Sequence, residues 1–99
     1  VGVKYAYATT GGITAPRPAL GVGPGDEVIT MPFTFAALVT AILHADAVPT
    51  FADIGRKTLN LDSASVKFTD AAKAVVVVHL AGYPAEMDAF MKLADRYGL

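Results

Sequence analysis

Residues 21–62 read GVGPGDEVITMPFTFAALVTAILHADAVPTFADIGRKTLNLD, and this stretch decides the fold. Gly21-Val-Gly-Pro-Gly-Asp is dense in residues that punctuate secondary structure, so it reads as a loop. Glu27–Met31 follows as a short apolar strand, stopped by Pro32. Phe35, Leu38, Val39 and Ile42 then recur at i, i+3, i+4 and i+7. That spacing predicts an amphipathic helix over Thr34–Ala45 with one core-facing stripe, Thr34 as its N-cap and His44 exposed near its end, close to the helix dipole. Ala47–Ala52 is a second strand; Pro49 within it lacks a ladder donor, which predicts a place on a sheet edge. Asp62 is placed to cap a short helix running towards Phe68.

Outward from this stretch the same rhythm continues. On the amino side, Val3, Tyr5, Tyr7 and Thr9 alternate along Val3–Thr9 and Gly11-Gly12 follows, which reads as a strand running into a tight turn. Ile13–Leu20 falls where a helix is due, but Pro16 and Pro18 interrupt it, and one interior proline costs about 3 kcal/mol of helix stability. On the carboxyl side, Lys73–His79 contains four consecutive valines, Val75 to Val78, the pattern of a parallel strand covered on both faces. Pro84 precedes a second helix with Met87, Phe90, Met91 and Ala94 on one stripe. Glu86 and Asp88 in its first turn, Lys92 and Arg96 in its last, and Gly98 as the stop all suit a helix running in that direction. The order β-α-β-α-β-(α)-β-α predicts a three-layer α/β/α sandwich with a mainly parallel sheet, one domain over residues 1–99.

The bulk composition narrows the function classes. Hydrophobic residues make up 54% of the 99-residue chain and charged ones 17%, which suits a piece of a larger α/β core better than a small free-standing domain. The chain begins without Met and stops at Leu99 directly after a helix, so both ends read as cut. Net charge is −1 with no basic cluster, so nothing points to nucleic acid or to an anionic membrane surface as a partner. No apolar run approaches the ~20 residues of a membrane span, and Val1–Thr10 lacks the plan of a signal peptide. The absence of cysteine removes disulfides and thiolate metal sites and is compatible with a cytoplasmic location.

Several short motifs compete with plainer readings. Gly21, Gly23 and Gly25 suggest a dinucleotide loop, but that loop follows a strand and opens a helix, whereas these glycines precede a strand; a helix-to-strand connection is the better reading. Gly11-Gly12 does follow a strand, and free backbone amides at such a place bind phosphate. Pro32-Phe33-Thr34-Phe35 lies at a strand's carboxyl end, the rim where α/β sheets bind ligands, although Phe33 and Phe35 also read as core residues at a helix start. His79 ends the valine strand on that rim and reads as structural. With His44 as the second histidine and no paired carboxylates, neither a metal site nor a Ser-His-Asp constellation can be argued.

Taken as a string, Gly21–Asp62 resembles the cofactor-domain core of the sugar aminotransferases of the DegT/StrS type, which use pyridoxal phosphate (PLP). The resemblance extends to His79-Leu-Ala-Gly-Tyr-Pro-Ala-Glu-Met-Asp88, similar to a family run His-Leu-(Tyr/Phe)-Gly-x-Pro-Ala-Asp-Met-Asp. It reaches more loosely to Thr9-Thr10-Gly11-Gly12-Ile13-Thr14-Ala15, where the family carries Thr/Ser-Gly-Thr-Ala. It implies a partial aspartate-aminotransferase-like PLP-transferase fold. It also implies cofactor-binding roles for Thr10, Gly11 and Gly12 at the PLP phosphate and for Phe35 on the cofactor ring. This chain departs from the pattern at Ile13, at Ala81 in place of an aromatic, and in the short, proline-broken stretch after Gly12, so the phosphate cup is altered. The lysine that carries the cofactor and the carboxylate that keeps its ring nitrogen protonated both lie, in the family, beyond the point corresponding to Leu99. None of Lys4, Lys57, Lys67, Lys73 or Lys92 replaces that lysine; Lys73 begins a strand that His79 ends, ~20 Å from the rim at ~3.3 Å per residue.

The resemblance therefore implies a fragment or degraded copy of an aminotransferase that moves an amino group from glutamate or glutamine to a keto-sugar nucleotide, homodimeric in the parent family. This chain would contribute no catalytic residue and have no activity alone. In that fold the first strand is separated from the other three by later strands. The Glu27 strand is then expected in the middle of three, with the Lys73 strand left with an open edge that the first strand could fill. The alternative is a non-catalytic α/β dimerisation or binding module that uses the open edge and the Phe33/Phe35 rim.

Overall fold

A computed structural model describes residues 21–99 of the chain. The strand expected at Val3–Thr9, the Gly11-Gly12 turn and the proline-broken segment Ile13–Leu20 lie outside these residues. Within them, three strands of four residues form one parallel sheet: β1 (Glu27–Thr30), β2 (Val48–Phe51) and β3 (Ala72–Val75), in the order β2-β1-β3. Helix α1 (Ala36–His44) makes the crossover from β1 to β2, and α2 (Met87–Tyr97) follows β3. Parallel strands need such crossovers, because a tight turn cannot return the chain to the same end.

Pro49 shows why β2 takes the edge. The amides of Val48 and Ala52 donate to the Asp26 and Thr30 carbonyls on the β1 side, at 2.8 and 2.9 Å. Pro49 lies out of phase with these donors, so its missing N–H falls on the side away from β1, where the ladder does not need it. The expectation drawn from that proline holds, as does the central place of β1.

Alternation along β1 divides the core into two layers. Val28 packs with Val22, Ile42, Ala45, Ala47 and Ala74, so α1 covers this face. Ile29 and Met31 point the other way and pack with Ala52, Leu61 and Phe90, so α2 covers the second face. Helix, sheet and helix give the expected α/β/α layering. Ala72 and Ala74 should share a face in a regular strand. Ala72 instead packs in the α2 layer and Ala74 in the α1 layer, because the register slips between Glu27, opposite Ala72, and Val28, opposite Ala74, which leaves Lys73 as the extra residue.

The helix ends hold two agreements and a correction. Gly98 closes α2 in the left-handed conformation, φ 70°, and the Leu99 amide donates to the Ala94 carbonyl at 3.0 Å, as the terminal glycine predicted. Asp62 Oδ1 accepts from the Ala64 amide at 3.0 Å, as its capping place predicted, but what it caps is a single 3₁₀ turn, Ser63–Ser65, and not a helix running towards Phe68. Thr34 does not cap α1. The helix starts at Ala36, Phe35 is the capping residue in extended backbone and no side chain bonds the first turn, because Pro32 to Thr34 is spent in bends that leave Thr34 one position too early.

The predicted stripes are also less covered than expected. Ile42 is fully buried, but Leu38 and Val39 are half-buried and Phe35 is exposed. Val75 to Val78 are half-buried rather than enclosed, and Met91 on α2 is 56% exposed. The outer edge of β3 has no partner strand among the described residues. Val75 and Val77 there line an open, mostly apolar groove of about 360 Å³ with Met87, Phe90 and Met91. At its far end α2 is anchored by Tyr97, whose ring stacks on Phe68 with centroids 4.1 Å apart.

Candidate functional site

All three strands run the same way, so their carboxyl ends open on one rim, where α/β sheets bind ligands. The chain leaves β1 through Met31, which is fully buried, and emerges at once into Pro32-Phe33-Thr34-Phe35. Phe35 is 82% exposed and Phe33 53% exposed, so the reading of both as core residues is corrected. Phe35 precedes the first helical residue, and the inward face of α1 is taken by Ala41 and Ile42. An aromatic left this open forgoes roughly 2 kcal/mol of burial, and its face remains available for stacking on a flat ring.

The exit from β3 is held more tightly. Beyond the last paired residue, the Val76 amide donates to the Ile29 carbonyl at 2.8 Å and the fully buried Thr30 hydroxyl donates to the Val76 carbonyl at 3.0 Å. A 3₁₀ turn, Leu80–Gly82, follows, with φ 51° at Ala81 and 82° at Gly82. His79 Nδ1 accepts from the Ala85 amide at 3.0 Å, so this histidine ties the turn to the start of α2 and has the structural role expected of it. His44 is exposed in the last turn of α1, also as expected. Asn60, which sequence reasoning passed over, is 2% exposed and bonds this same turn through both ends of its amide. The one available signal was a polar residue flanked by Leu59 and Leu61 in an otherwise irregular stretch.

A cavity of about 300 Å³ opens beside the rim, lined by Ile29, Pro32, Thr50, Asp53, Ser65 and Lys67 among others. Thr50 Oγ1 is buried there without a hydrogen-bond partner. Lys67 is thus the described lysine that comes near Pro32, while Lys73 stands exposed at the amino end of β3. The glycine loop before β1 lies at the opposite end of the strand from the rim. The Gly23 amide in it donates to Asp26 Oδ2 at 3.0 Å, so a carboxylate occupies the position a phosphate would need. Among the described residues no three His, Cys, Asp or Glu side chains gather as for a metal ion, and no helix is long and apolar enough to cross a membrane. Thr10, Gly11 and Gly12 lie outside the described residues, so of the expected cofactor contacts Phe35 alone is placed.

A parallel sheet covered by helices on both faces, with an exposed aromatic and a pinned turn at the carboxyl rim, defines an α/β protein of the ligand-at-the-strand-ends class. More particularly, the chain belongs to the DegT/DnrJ/EryC1/StrS aminotransferase family, whose model matches residues 1–99. It is 43% identical over 104 residues to the spore coat polysaccharide biosynthesis protein SpsC of Bacillus subtilis (strain 168), an alignment covering 100% of this chain and 27% of that protein. Its fold is similar to that of the aminotransferase from Psychrobacter cryohalolentis, with TM-score 0.84 and 40% identity over 88% of this chain and 22% of the other. It is also similar to NtdA from Bacillus subtilis with bound cofactor PMP, with TM-score 0.83 and 35% identity over 88% of this chain and 20% of the other. The chain therefore spans about a quarter of the length of the relatives it matches. These solved relatives establish the partial aminotransferase fold.

Proposed function

We propose that residues 1–99 form part of the cofactor domain of a PLP-dependent aminotransferase, one that moves an amino group from glutamate or glutamine to a keto-sugar nucleotide as a cytoplasmic homodimer. The observation that carries this reading is Phe35, an aromatic 82% exposed at the carboxyl end of the central strand of a family member. Its free face suits a flat, electron-poor pyridine ring, and a parallel stack fixes the ring plane and hence the orientation of any group attached to it. Bound PLP supplies an electron sink for the substrate carbon that loses its proton. In this reading Thr10, Gly11 and Gly12 stand at the phosphate, as the family resemblance implies, in a cup whose sequence is altered at Ile13.

The same reading makes the chain by itself inactive. Transamination needs a lysine amine at the reacting carbon and a carboxylate at the ring nitrogen. Lys73 is at the wrong end of its strand, and Lys67 borders the rim cavity on the α2 face of the sheet, among Ile29 and Ala52, whereas Phe35 leads into α1 on the other face. Titration of the labelled chain with pyridoxamine phosphate, followed by amide NMR shifts, tests the site. Shifts concentrated at Phe33–Phe35 and His79–Tyr83 are expected; no shifts at saturating ligand, or shifts confined elsewhere, would overturn it.

One observation favours the second reading, a non-catalytic α/β dimerisation or binding module. The apolar groove along β3 is lined by the half-buried Val75 and Val77 and the exposed Met87 and Met91, a surface of the kind that recruits a partner.

A further inference from the structure

We infer that Asn60 is a positioning residue: its buried side-chain amide brackets the turn after β3 and holds Ala81 and Gly82 in left-handed backbone at the rim. The geometry is two-handed. Asn60 Oδ1 accepts from the Leu80 amide at 2.9 Å, at the entrance of the turn, and Nδ2 donates to the Tyr83 carbonyl at 2.9 Å, at its exit. Between these two anchors the turn closes on itself, with the Gly82 amide donating to the His79 carbonyl at 3.0 Å and the Tyr83 amide to the Leu80 carbonyl at 2.9 Å. Ala81 at φ 51° occupies a conformation that an L-residue with a Cβ adopts rarely, so something outside the turn must hold it.

Asn60 is itself fixed. Its own carbonyl accepts from the Gly55 amide at 2.9 Å, and the loop is so tight that a Cβ on Gly55 would come within 2.9 Å of Thr58 Oγ1. A short loop after β2, twenty residues earlier in the chain, therefore sets the conformation of the turn after β3. Only an amide serves both anchors at neutral pH. An ionised carboxylate accepts at Leu80 but repels the Tyr83 carbonyl, whereas a neutral carboxyl again offers one donor and one acceptor.

This chemistry gives a test that packing alone would not pass. Asn60→Asp in the full chain, read by amide hydrogen exchange, is expected to lower protection at Gly82 and Tyr83 at neutral pH by about 10-fold or more, the scale of one buried hydrogen bond lost. Protection should return as the pH falls through the titration of the introduced carboxyl, which burial and the facing carbonyl raise above the usual carboxylate value of about 4. The unsubstituted protein, followed over the same pH range and corrected for intrinsic exchange, is the reference against which that return is read, because His79 in the same turn accepts from the Ala85 amide through Nδ1. Adding Ala81→Gly to Asn60→Asp should restore part of the protection at neutral pH, because glycine holds a positive φ without strain. Unchanged protection in Asn60→Asp, or a loss that neither acid nor Ala81→Gly repairs, would overturn the inference.

The functional meaning rests on reading the rim as the ligand side, but the conformational claim stands without it. A turn that opens in Asn60→Asp while pyridoxamine phosphate leaves the rim amides unshifted would sink the ligand reading and keep the bracket; the converse result would do the opposite.

Discussion

Two threonine hydroxyls on neighbouring strands carry opposite consequences for stability. Thr30 is fully buried and its hydroxyl donates to the Val76 carbonyl, so Thr30→Val deprives that part-buried carbonyl of its hydroxyl donor. The expected cost is about 1–3 kcal/mol in a denaturant-unfolding series. Thr50 Oγ1 is buried with no partner, so Thr50→Val removes an uncompensated polar atom and should be neutral or stabilising by up to about 1 kcal/mol. Phenylalanine 35 makes a similar contrast with Ile42. Ile42→Ala empties part of the α1 layer and should cost about 2–5 kcal/mol, while Phe35→Ala should change stability by less than about 0.5 kcal/mol. A large loss in Phe35→Ala would mean that this ring serves the core after all. At this scale the sequence was legible in part. Apolar spacing picked out Ile42 and Phe90, and the place of Phe35 at a strand end was visible, but its outward face was not, since position i of a helical stripe reads the same whether it lies in the first turn or just before it. Asn60 was invisible because its partners, Leu80 and Tyr83, are related to it only through the folded chain.

At the scale of elements, local chemistry was the most readable part. Pro49 placed β2 on the edge, Asp62 capped its turn and Gly98 ended α2, each for a reason confined to one residue's backbone or side chain. Gly98→Ala should therefore cost about 1 kcal/mol, detectable as faster exchange in the last turn of α2, because alanine resists φ 70°. Element boundaries were harder to read. Helix α1 begins at Ala36 because the bends from Pro32 leave Thr34 one residue ahead of the capping position, and β3 ends its regular pairing at Val75 although the apolar run continues to Val78. Periodicity reports which face of an element is apolar; whether another element covers that face is a property of the assembly. The slip at Lys73, which sends Ala72 and Ala74 to opposite layers, has no counterpart in any local pattern.

For the whole molecule, family membership and the open sheet edge must be taken together. The chain matches the DegT/DnrJ/EryC1/StrS aminotransferase family along its length yet spans about a quarter of its relatives. The described residues supply a sheet, its two covering helices and an aromatic rim. They also present a β3 edge flanked by the exposed Met91, a surface prone to pairing with another chain. Sedimentation velocity of the 99-residue chain is expected to show concentration-dependent self-association that Met91→Lys reduces; a single discrete dimer at all concentrations would favour the binding-module reading.

We propose that this chain carries the stacking face of an aminotransferase cofactor site without an amine able to react there. Incubation with PLP, reduction with borohydride and peptide mass mapping test it most directly. Neither a stoichiometric lysine adduct nor a visible band that reduction fixes to the protein is expected. A single dominant adduct, on Lys67 beside the rim or on any other lysine of the chain, accompanied by amino transfer from glutamate, would contradict it.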